Sequence, residues 1–366
     1  MCKPVLSLIL VVVGATSVHA QTRPAPRPAP KWSIEVYGGQ AGSSKGTGSG
    51  LGQFPAGPTF ATEDTGRLSR AVSSWYFGDG AALFNEVAAD FAARYGQNYP
   101  RITPLDAVLT SGSARRQGGS TFGLRLTRWF ASRVGFEISF DRSKDPFALT
   151  DDAEQAIAAT RASFQNAFTG LLGVTPVTLP VVTSTVQLPG SIDETQMSVL
   201  VGVTVAVAKP GPVRVLVSFG GGGVFSNATS LVAKLQGNYR FTMLGINPIN
   251  ESDAVTIHFT DKDLVPVGSA GLGVSIDLAR RHGIRVEARV RVSENTTRIT
   301  VDSAPSVTAV APFIFFSSQT DPSLQFSTTA GVRTSLSGEP VTGLETFSPG
   351  GLDMRTVFTV GYFFRF

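Results

Sequence analysis

The chain lacks several features on which common protein classes depend. Its 366 residues include a single cysteine and three histidines, and only 16% of them are charged. One cysteine cannot form a disulfide within the chain, which excludes folds held by several disulfides. The charged fraction lies well below the roughly 25% of soluble proteins, which argues against an ordinary cytoplasmic enzyme. No run of 18 or more apolar residues occurs, so we expect no transmembrane helix.

The N-terminus has the pattern of an export signal. Lys3 precedes an apolar stretch from Val5 to Val13, and the small-residue sequence Val18-His19-Ala20 follows. These three parts are typical of a secretory signal peptide. We therefore predict that residues 1–20 are a signal peptide cleaved after Ala20. Residues 21–31 are rich in Pro and Ala, which predicts an extended periplasmic spacer.

Residues 32–366 show a repeated two-residue alternation of apolar with small or polar side chains, which is typical of β-strands. Eight segments have this pattern: Trp32–Gln40, Thr121–Phe130, Arg133–Arg142, Thr195–Ala208, Val213–Phe225, Gly268–Ala279, Ile284–Val292 and Met354–Phe366. Each is close to the length that a tilted strand needs to cross a bilayer.

The connections between these segments are very unequal. Tight turns are predicted around Ala131, Pro210-Gly211 and Arg281-His282-Gly283, whereas the other four connections are long. Alternation alone also fits a soluble sandwich, but short turns at one end and long loops at the other are typical of outer-membrane barrels. We predict an all-β fold, an eight-stranded antiparallel up-and-down transmembrane β-barrel with short periplasmic turns. Segments near 313–316 and 324–326 leave a ten-stranded barrel as an alternative.

The C-terminal sequence Thr359-Val360-Gly361-Tyr362-Phe363-Phe364-Arg365-Phe366 resembles the assembly signal of bacterial outer-membrane β-barrels. The specified positions are Thr359, Gly361, Phe364 and Phe366. With the signal peptide and the unequal loops, the chain resembles the small OmpA/OmpX-like barrels. The resemblance implies delivery to the barrel-assembly machinery and residence in the outer membrane of a Gram-negative-type bacterium, surrounded by its lipid. We expect no peptidoglycan-binding domain after Phe366.

The strand faces that avoid lipid collect charged side chains. They are Glu35, Arg125, Glu137, Asp141, Arg214, Asp277, Arg285, Glu287, Arg289, Arg291, Arg355 and Arg365. Unpaired charges would be costly there, so we predict a structural network of salt bridges in the barrel interior. Centring the tight turns predicts Arg125 opposite Glu137 and Asp277 opposite Arg285, as direct or diagonal ion pairs.

The long extracellular loops contain two segments with helical periodicity. Asp79–Arg94 has one apolar face, and Asp151–Phe168 begins with a capping box in which Asp151 is the N-cap and Glu154 reaches back. The two helices would either close the barrel mouth or form a docking surface for a ligand.

The sequence contains no set of residues typical of a catalytic or metal site. His282 falls in a predicted periplasmic turn, and His258 falls in a strand-like loop segment. Asp261-Lys262-Asp263 lacks the spacing of a calcium loop, and Gly220–Gly223 precedes no helix that could bind phosphate. We therefore expect no enzyme activity, no cofactor and no metal.

Two functional classes fit this pattern. The first is a monomeric barrel whose long loops have a structural or interaction role at the cell surface, with an unidentified extracellular ligand. The second is a small or gated pore for ions or small solutes. The formal net charge of +4 is too small to indicate nucleic-acid binding.

Overall fold

The chain folds into long antiparallel strands, with two helices in its loops. The structure, a computed structural model, describes residues 32–48, 52–53, 59–61, 68–72, 74–130, 133–173, 177–209, 211–227, 230–243, 249–303, 306–307, 325–326 and 345–366. The predicted signal peptide and spacer lie outside these residues and stay predictions.

The strands are β1 (Trp32–Ala41), β2 (Ser44–Lys45), β3 (Thr59–Ala61), β4 (Leu68–Val72), β5 (Ala114–Arg116), β6 (Gly119–Trp129), β7 (Val134–Leu149), β8 (Val177–Gln187), β9 (Ile192–Ala208), β10 (Val213–Ser226), β11 (Ser230–Met243), β12 (Ile249–Asp261), β13 (Leu264–Asp277), β14 (His282–Glu294), β15 (Thr297–Ser303), β16 (Ser306–Val307), β17 (Gln325–Phe326), β18 (Glu345–Phe347) and β19 (Leu352–Arg365). The helices are α1 (Gly78–Tyr95), α2 (Asp151–Leu172) and a 3₁₀ turn (Leu105–Val108).

Eight of these strands close into a ring. The order is β1-β6-β7-β9-β10-β13-β14-β19, and β19 pairs with β1 to complete it. Every pairing in the ring is antiparallel. The predicted eight-stranded antiparallel barrel is therefore confirmed. Of the segments that could have made a ten-stranded barrel, Gln325–Phe326 pairs with β4 outside the ring, and residues 313–316 lie outside the described residues.

Alternation determines which side chains face outward. In β6, Phe122, Leu124 and Leu126 are exposed on the outer wall, while Thr121 and Arg125 are buried inside. A shift of one residue would exchange these two sets, so the burial pattern fixes the face of each residue.

The predicted registers across two tight turns were wrong by two residues. Arg125 lies opposite Ser139, and Glu137 lies opposite Thr127. In the other hairpin, Arg285 lies opposite Ser275. A shift of two residues leaves every side chain on its predicted face, so the hydrophobic pattern cannot detect it and the turn geometry decides.

One end of the barrel carries a second sheet, which we call the outer sheet. Its order is β18-β15-β12-β11-β8, with β16 beside β12. Together with α1 and α2 it forms what we call the outer unit. The chain enters this sheet from the barrel strands β7 (through α2), β10 and β14, and returns from it to β9, β13 and β19. We call this the loop end of the barrel, and the opposite end, with its tight turns, the turn end.

The outer unit has a hydrophobic core of its own. Inward side chains of the outer sheet, such as Leu235 and Ile257, pack against the helices. Phe164 stacks on Tyr76 at 4.7 Å between ring centroids, and Phe168 stacks on Tyr239 at 4.6 Å. All four rings are buried. The long loops are thus a packed structure, which supplies a rigid surface beyond the barrel.

Both predicted loop helices are present, with one correction at an N-terminus. α2 begins as predicted at Asp151, but its N-cap is Thr150, whose side-chain oxygen accepts a hydrogen bond from the Ala153 amide. Asp151 is left free to pair with Arg115 at 3.2 Å. A Thr hydroxyl satisfies the free amide as well as an Asp would, so the cap lies one residue earlier. None of the described helices is long and apolar enough to cross a membrane.

Candidate functional site

The middle of the barrel contains six buried charged side chains, which we call the interior hexad. Its three cations and three anions balance, and none is more than 8% exposed. The members are Arg125, Arg285, Arg289, Glu35, Glu137 and Glu287. Four neighbouring or facing strands, β1, β6, β7 and β14, supply them.

Arg125 contacts all three carboxylates of the hexad. Its Nη1 lies 3.1 Å from Glu35, its Nη2 lies 2.6 Å from Glu287 Oε2, and its Nε lies 3.3 Å from Glu137 Oε1. The predicted Arg125–Glu137 pair therefore exists as a diagonal contact. Because one guanidinium joins three strands, the hexad is a network and not a set of isolated pairs.

Arg285 and Arg289 complete the network from β14. Arg285 donates to Glu137 at 3.0 Å and to Glu287 at 2.9 Å, and Arg289 reaches the same two carboxylates at 2.5 and 3.1 Å. The two anions thus each face three arginines, which offsets the cost of removing them from water.

Small residues make room for these long side chains. A Cβ added at Gly361 would clash with the Glu35 carboxylate, and one at Gly271 would clash with Ser218 and Glu287. Ser218 also donates to Glu287 at 2.7 Å. Gly361, a residue of the predicted assembly signal, therefore has a packing role in the folded barrel as well.

The predicted Asp277–Arg285 pair was wrong. Asp277 lies nearer the turn end and pairs with Arg214 at 3.2 Å and Arg365 at 2.6 Å. Asp277 and Arg285 are diagonal neighbours in the observed register, but Arg285 pairs with Glu137 and Glu287, and the C-terminal strand supplies Arg365 to Asp277.

A further layer of polar contacts, which we call the Arg291 layer, lies between the hexad and the loop end. Arg291 binds Asp141 through both of its terminal nitrogens, at 3.1 and 2.7 Å, and reaches Ser198 at 3.2 Å. Tyr37 donates to the same carboxylate at 3.3 Å. The bidentate geometry holds Arg291 across the lumen.

A cluster of charged side chains lies at the loop end itself, and we call it the rim cluster. It contains Arg116, Arg355, Asp145, Glu194, Asp261 and Asp353. Arg116 enters from the short strand β5 and contacts Glu194 at 3.2 Å, Asp353 at 3.4 Å, and Asp261. Arg355, predicted as an interior charge, pairs with Asp145. Since Asp261 belongs to β12, the rim cluster joins the barrel to the outer unit.

Sequence reasoning missed five of the six rim residues. Asp145, Glu194 and Asp353 lie just beyond the ends of the predicted strands, on the face that the alternation already assigns to the interior. Extending each strand with its parity unchanged would have found them. Arg116 belongs to the short strand β5, which no periodic signal marks, and Asp261 lies one residue beyond the strand-like segment around His258, on the face of its buried residues.

The remaining predicted residues have structural contacts. His282 Nδ1 lies 2.5 Å from the Tyr362 hydroxyl, and His258 Nδ1 lies 3.3 Å from the Ser230 hydroxyl. Neither ring bonds to a carboxylate among the described residues. The rings of Phe364 and Phe366 stack at the turn end, with 6.3 Å between their centroids. The role of Thr359, Gly361, Phe364 and Phe366 as an assembly signal stays a prediction.

The outer wall of the barrel is the chemical inverse of its interior. Large apolar side chains stand exposed on every barrel strand, among them Ile34, Phe122, Phe140, Val201, Phe219, Leu272, Val286 and Phe358. A contiguous apolar surface of this extent is rare on soluble monomers.

No family model and no curated protein matches the chain. Among solved structures, it is similar to CarO of Acinetobacter baumannii, at 11% identity and a TM-score of 0.23, over 69% of this chain and 96% of that one. It is also similar to the outer membrane protease OmpT of Escherichia coli, at 6% identity and a TM-score of 0.28, over 92% of this chain and 97% of that one. The P. putida toluene transporter TodX matches at 9% identity and a TM-score of 0.20, over 92% of this chain and 90% of that one. Similarities this weak say nothing of the role of the chain, and the barrel is established by its strand pairings alone.

Proposed function

We propose that this chain is an integral outer-membrane β-barrel of a Gram-negative-type bacterium, whose outer unit has a structural or interaction role at the cell surface. The observation that carries the proposal is the distribution of polar and apolar side chains over the two faces of the barrel. Arginines and carboxylates fill the interior, while apolar side chains cover the wall. Such a wall is stable in a bilayer, where a closed barrel leaves no strand edge unpaired.

The outer unit supports the surface role. It places a folded sheet and two helices beyond one end of the barrel, and residues of a rigid scaffold beyond a membrane are accessible to partners. Delivery by the barrel-assembly machinery, with Phe366 as part of its signal, belongs to the same proposal.

The contents of the lumen argue against the alternative of a pore. The hexad, the Arg291 layer and the rim cluster occupy successive levels of an eight-stranded barrel, whose interior is just wide enough for side chains. We therefore expect the purified protein to give no stable conductance steps in a planar lipid bilayer. Regular steps of constant size, absent from a detergent-only control, would favour the pore instead.

The orientation of the barrel can be tested with two of its own lysines. Lys234 is exposed on the outer sheet, and Lys209 is exposed at the turn end. With an amine reagent too large to cross the outer membrane, we expect Lys234 to be modified in intact cells and Lys209 only after the membrane is permeabilised. Mass spectrometry of the peptides would measure both. Modification of Lys209 in intact cells would contradict the proposed orientation, and equal protection of both lysines would contradict surface exposure.

A further inference from the structure

The outer wall of the barrel has a groove near the turn end. It has a volume of about 390 Å³ and is lined by Trp32, Leu126, Arg128, Phe130, Phe136 and Ile138. These residues come from three adjacent strands and the following turn. All but one of them are apolar, so the position of the single charged residue determines what the groove can bind.

Arg128 lies in the half of the groove nearer the turn, beside Trp32 and Phe130. Its guanidinium carbon is 5.2 Å from the centroid of the Trp32 ring and 5.3 Å from that of Phe130. The side chain is exposed, and no carboxylate of the described residues forms an ion pair with it. The two rings hold the guanidinium through cation–π contacts, so its hydrogen-bond donors stay available to a ligand.

The rest of the groove extends from Arg128 toward the middle of the wall. Arg128 lies opposite Phe136, and the next outward pair along the strands is Leu126 and Ile138. Two residues of a strand cover roughly 6.6 Å, so the apolar pair lies about that far from the level of the guanidinium. In a bilayer, aromatic rings favour the headgroup level and aliphatic side chains the hydrocarbon.

We propose that this groove binds an anionic glycerophospholipid of the periplasmic leaflet, with the phosphate on Arg128 and an acyl chain against Leu126 and Ile138. A guanidinium matches a phosphate with two parallel hydrogen bonds. A zwitterionic lipid carries its own cation beside the phosphate, which competes with Arg128, whereas a phosphatidylglycerol does not. The inference depends on the proposed function, since it requires the barrel to lie in a membrane.

The test is native mass spectrometry of the full chain purified in detergent, titrated with phosphatidylglycerol or phosphatidylcholine of identical acyl chains. We expect the first phosphatidylglycerol to bind about fivefold more tightly than the first phosphatidylcholine, as one arginine near a lipid surface allows. Arg128→Gln should abolish this preference. The matched control is Arg280→Gln, which removes an exposed charge at the same end of the barrel, away from the groove.

Three outcomes would overturn the inference: no preference in the wild type, an unchanged preference in Arg128→Gln, or an equal loss in both variants, which would indicate a general charge effect. Insertion into vesicles, measured by the shift in electrophoretic mobility on heating, is a separate readout. A protein that inserts without lipid preference contradicts the groove alone, whereas one that fails to insert contradicts the proposed function.

Discussion

Replacing Arg125 by Met should lower the free energy of unfolding by about 3–5 kcal/mol, the usual cost of removing one partner from a buried ionic network. Arg125 contacts Glu35, Glu137 and Glu287, and its loss leaves three buried carboxylates with two arginines. The methionine side chain fills most of the space, so the main effect is an uncompensated charge and not a cavity. Reversible urea unfolding from lipid vesicles would measure the change.

A double variant separates charge imbalance from lost packing. Arg125→Met combined with Glu35→Gln restores equal numbers of cations and anions in the hexad, and we expect it to be more stable than Arg125→Met alone. Arg280→Gln, at an exposed turn, should change stability by no more than about 0.5 kcal/mol. If the single and double variants were equally unstable, the hexad would not act as a balanced network.

The barrel could be predicted because a single pattern, the two-residue alternation of apolar and polar side chains, marks its strands. In each strand the two-residue alternation separates lipid-facing from lumen-facing side chains, so both the strands and their faces could be read from the sequence. The ion pairs could not. Arg125 and Glu137 share a face in every register that differs by two residues, so the alternation cannot select one of them.

The outer unit shows a different limit. Its helices α1 and α2 follow local periodicity and were predicted to within a few residues of their ends. Of the outer sheet, only the strand-like segment around His258, now part of β12, was predicted, although β11 also alternates, with Leu231, Ala233 and Leu235 on one face. A strand that returns above the membrane has the same local pattern as one that crosses it, and only its long-range partners distinguish the two.

The stability of the outer unit should fall as the pH rises from 4 to 7, because of one buried carboxyl group. Asp253 lies on β12, with no exposed surface. Its Oδ2 accepts hydrogen bonds from the Ser74 hydroxyl at 2.9 Å and from the Trp75 amide at 2.7 Å, which fixes the segment that leads into α1. Its Oδ1 has no hydrogen-bond partner among the residues that the structure describes. Burial raises the pKa of this carboxyl from 3.8 to about 7, against the hydrogen bonds, which lower it.

The direction of the effect follows from proton binding. Between pH 3.8 and about 7 the folded outer unit holds a proton on Asp253 that the unfolded chain has released. Stability therefore decreases with pH across this window and levels off above it. From pH 5 to pH 8 the loss amounts to about 3 kcal/mol. The neighbouring Tyr76 hydroxyl, which bonds to Ser184, adds no pH dependence in this window. Burial raises the pKa of this phenol above its ordinary value, so it stays neutral throughout.

Asp253→Asn should remove most of this pH dependence, because an amide keeps the acceptor for Ser74 and Trp75 but does not titrate. The measurement is urea unfolding at pH 5 and pH 8, followed by the fluorescence of Trp75 in a Trp32→Phe, Trp129→Phe background, which leaves one of the three tryptophans as the reporter. Asp302→Asn is the matched control, since that carboxylate is exposed on the neighbouring strand β15 and should leave the slope unchanged. A wild-type outer unit that is as stable at pH 8 as at pH 5 would show that Asp253 is ionised in the folded protein. Its unpaired Oδ1 would then have to be in contact with water.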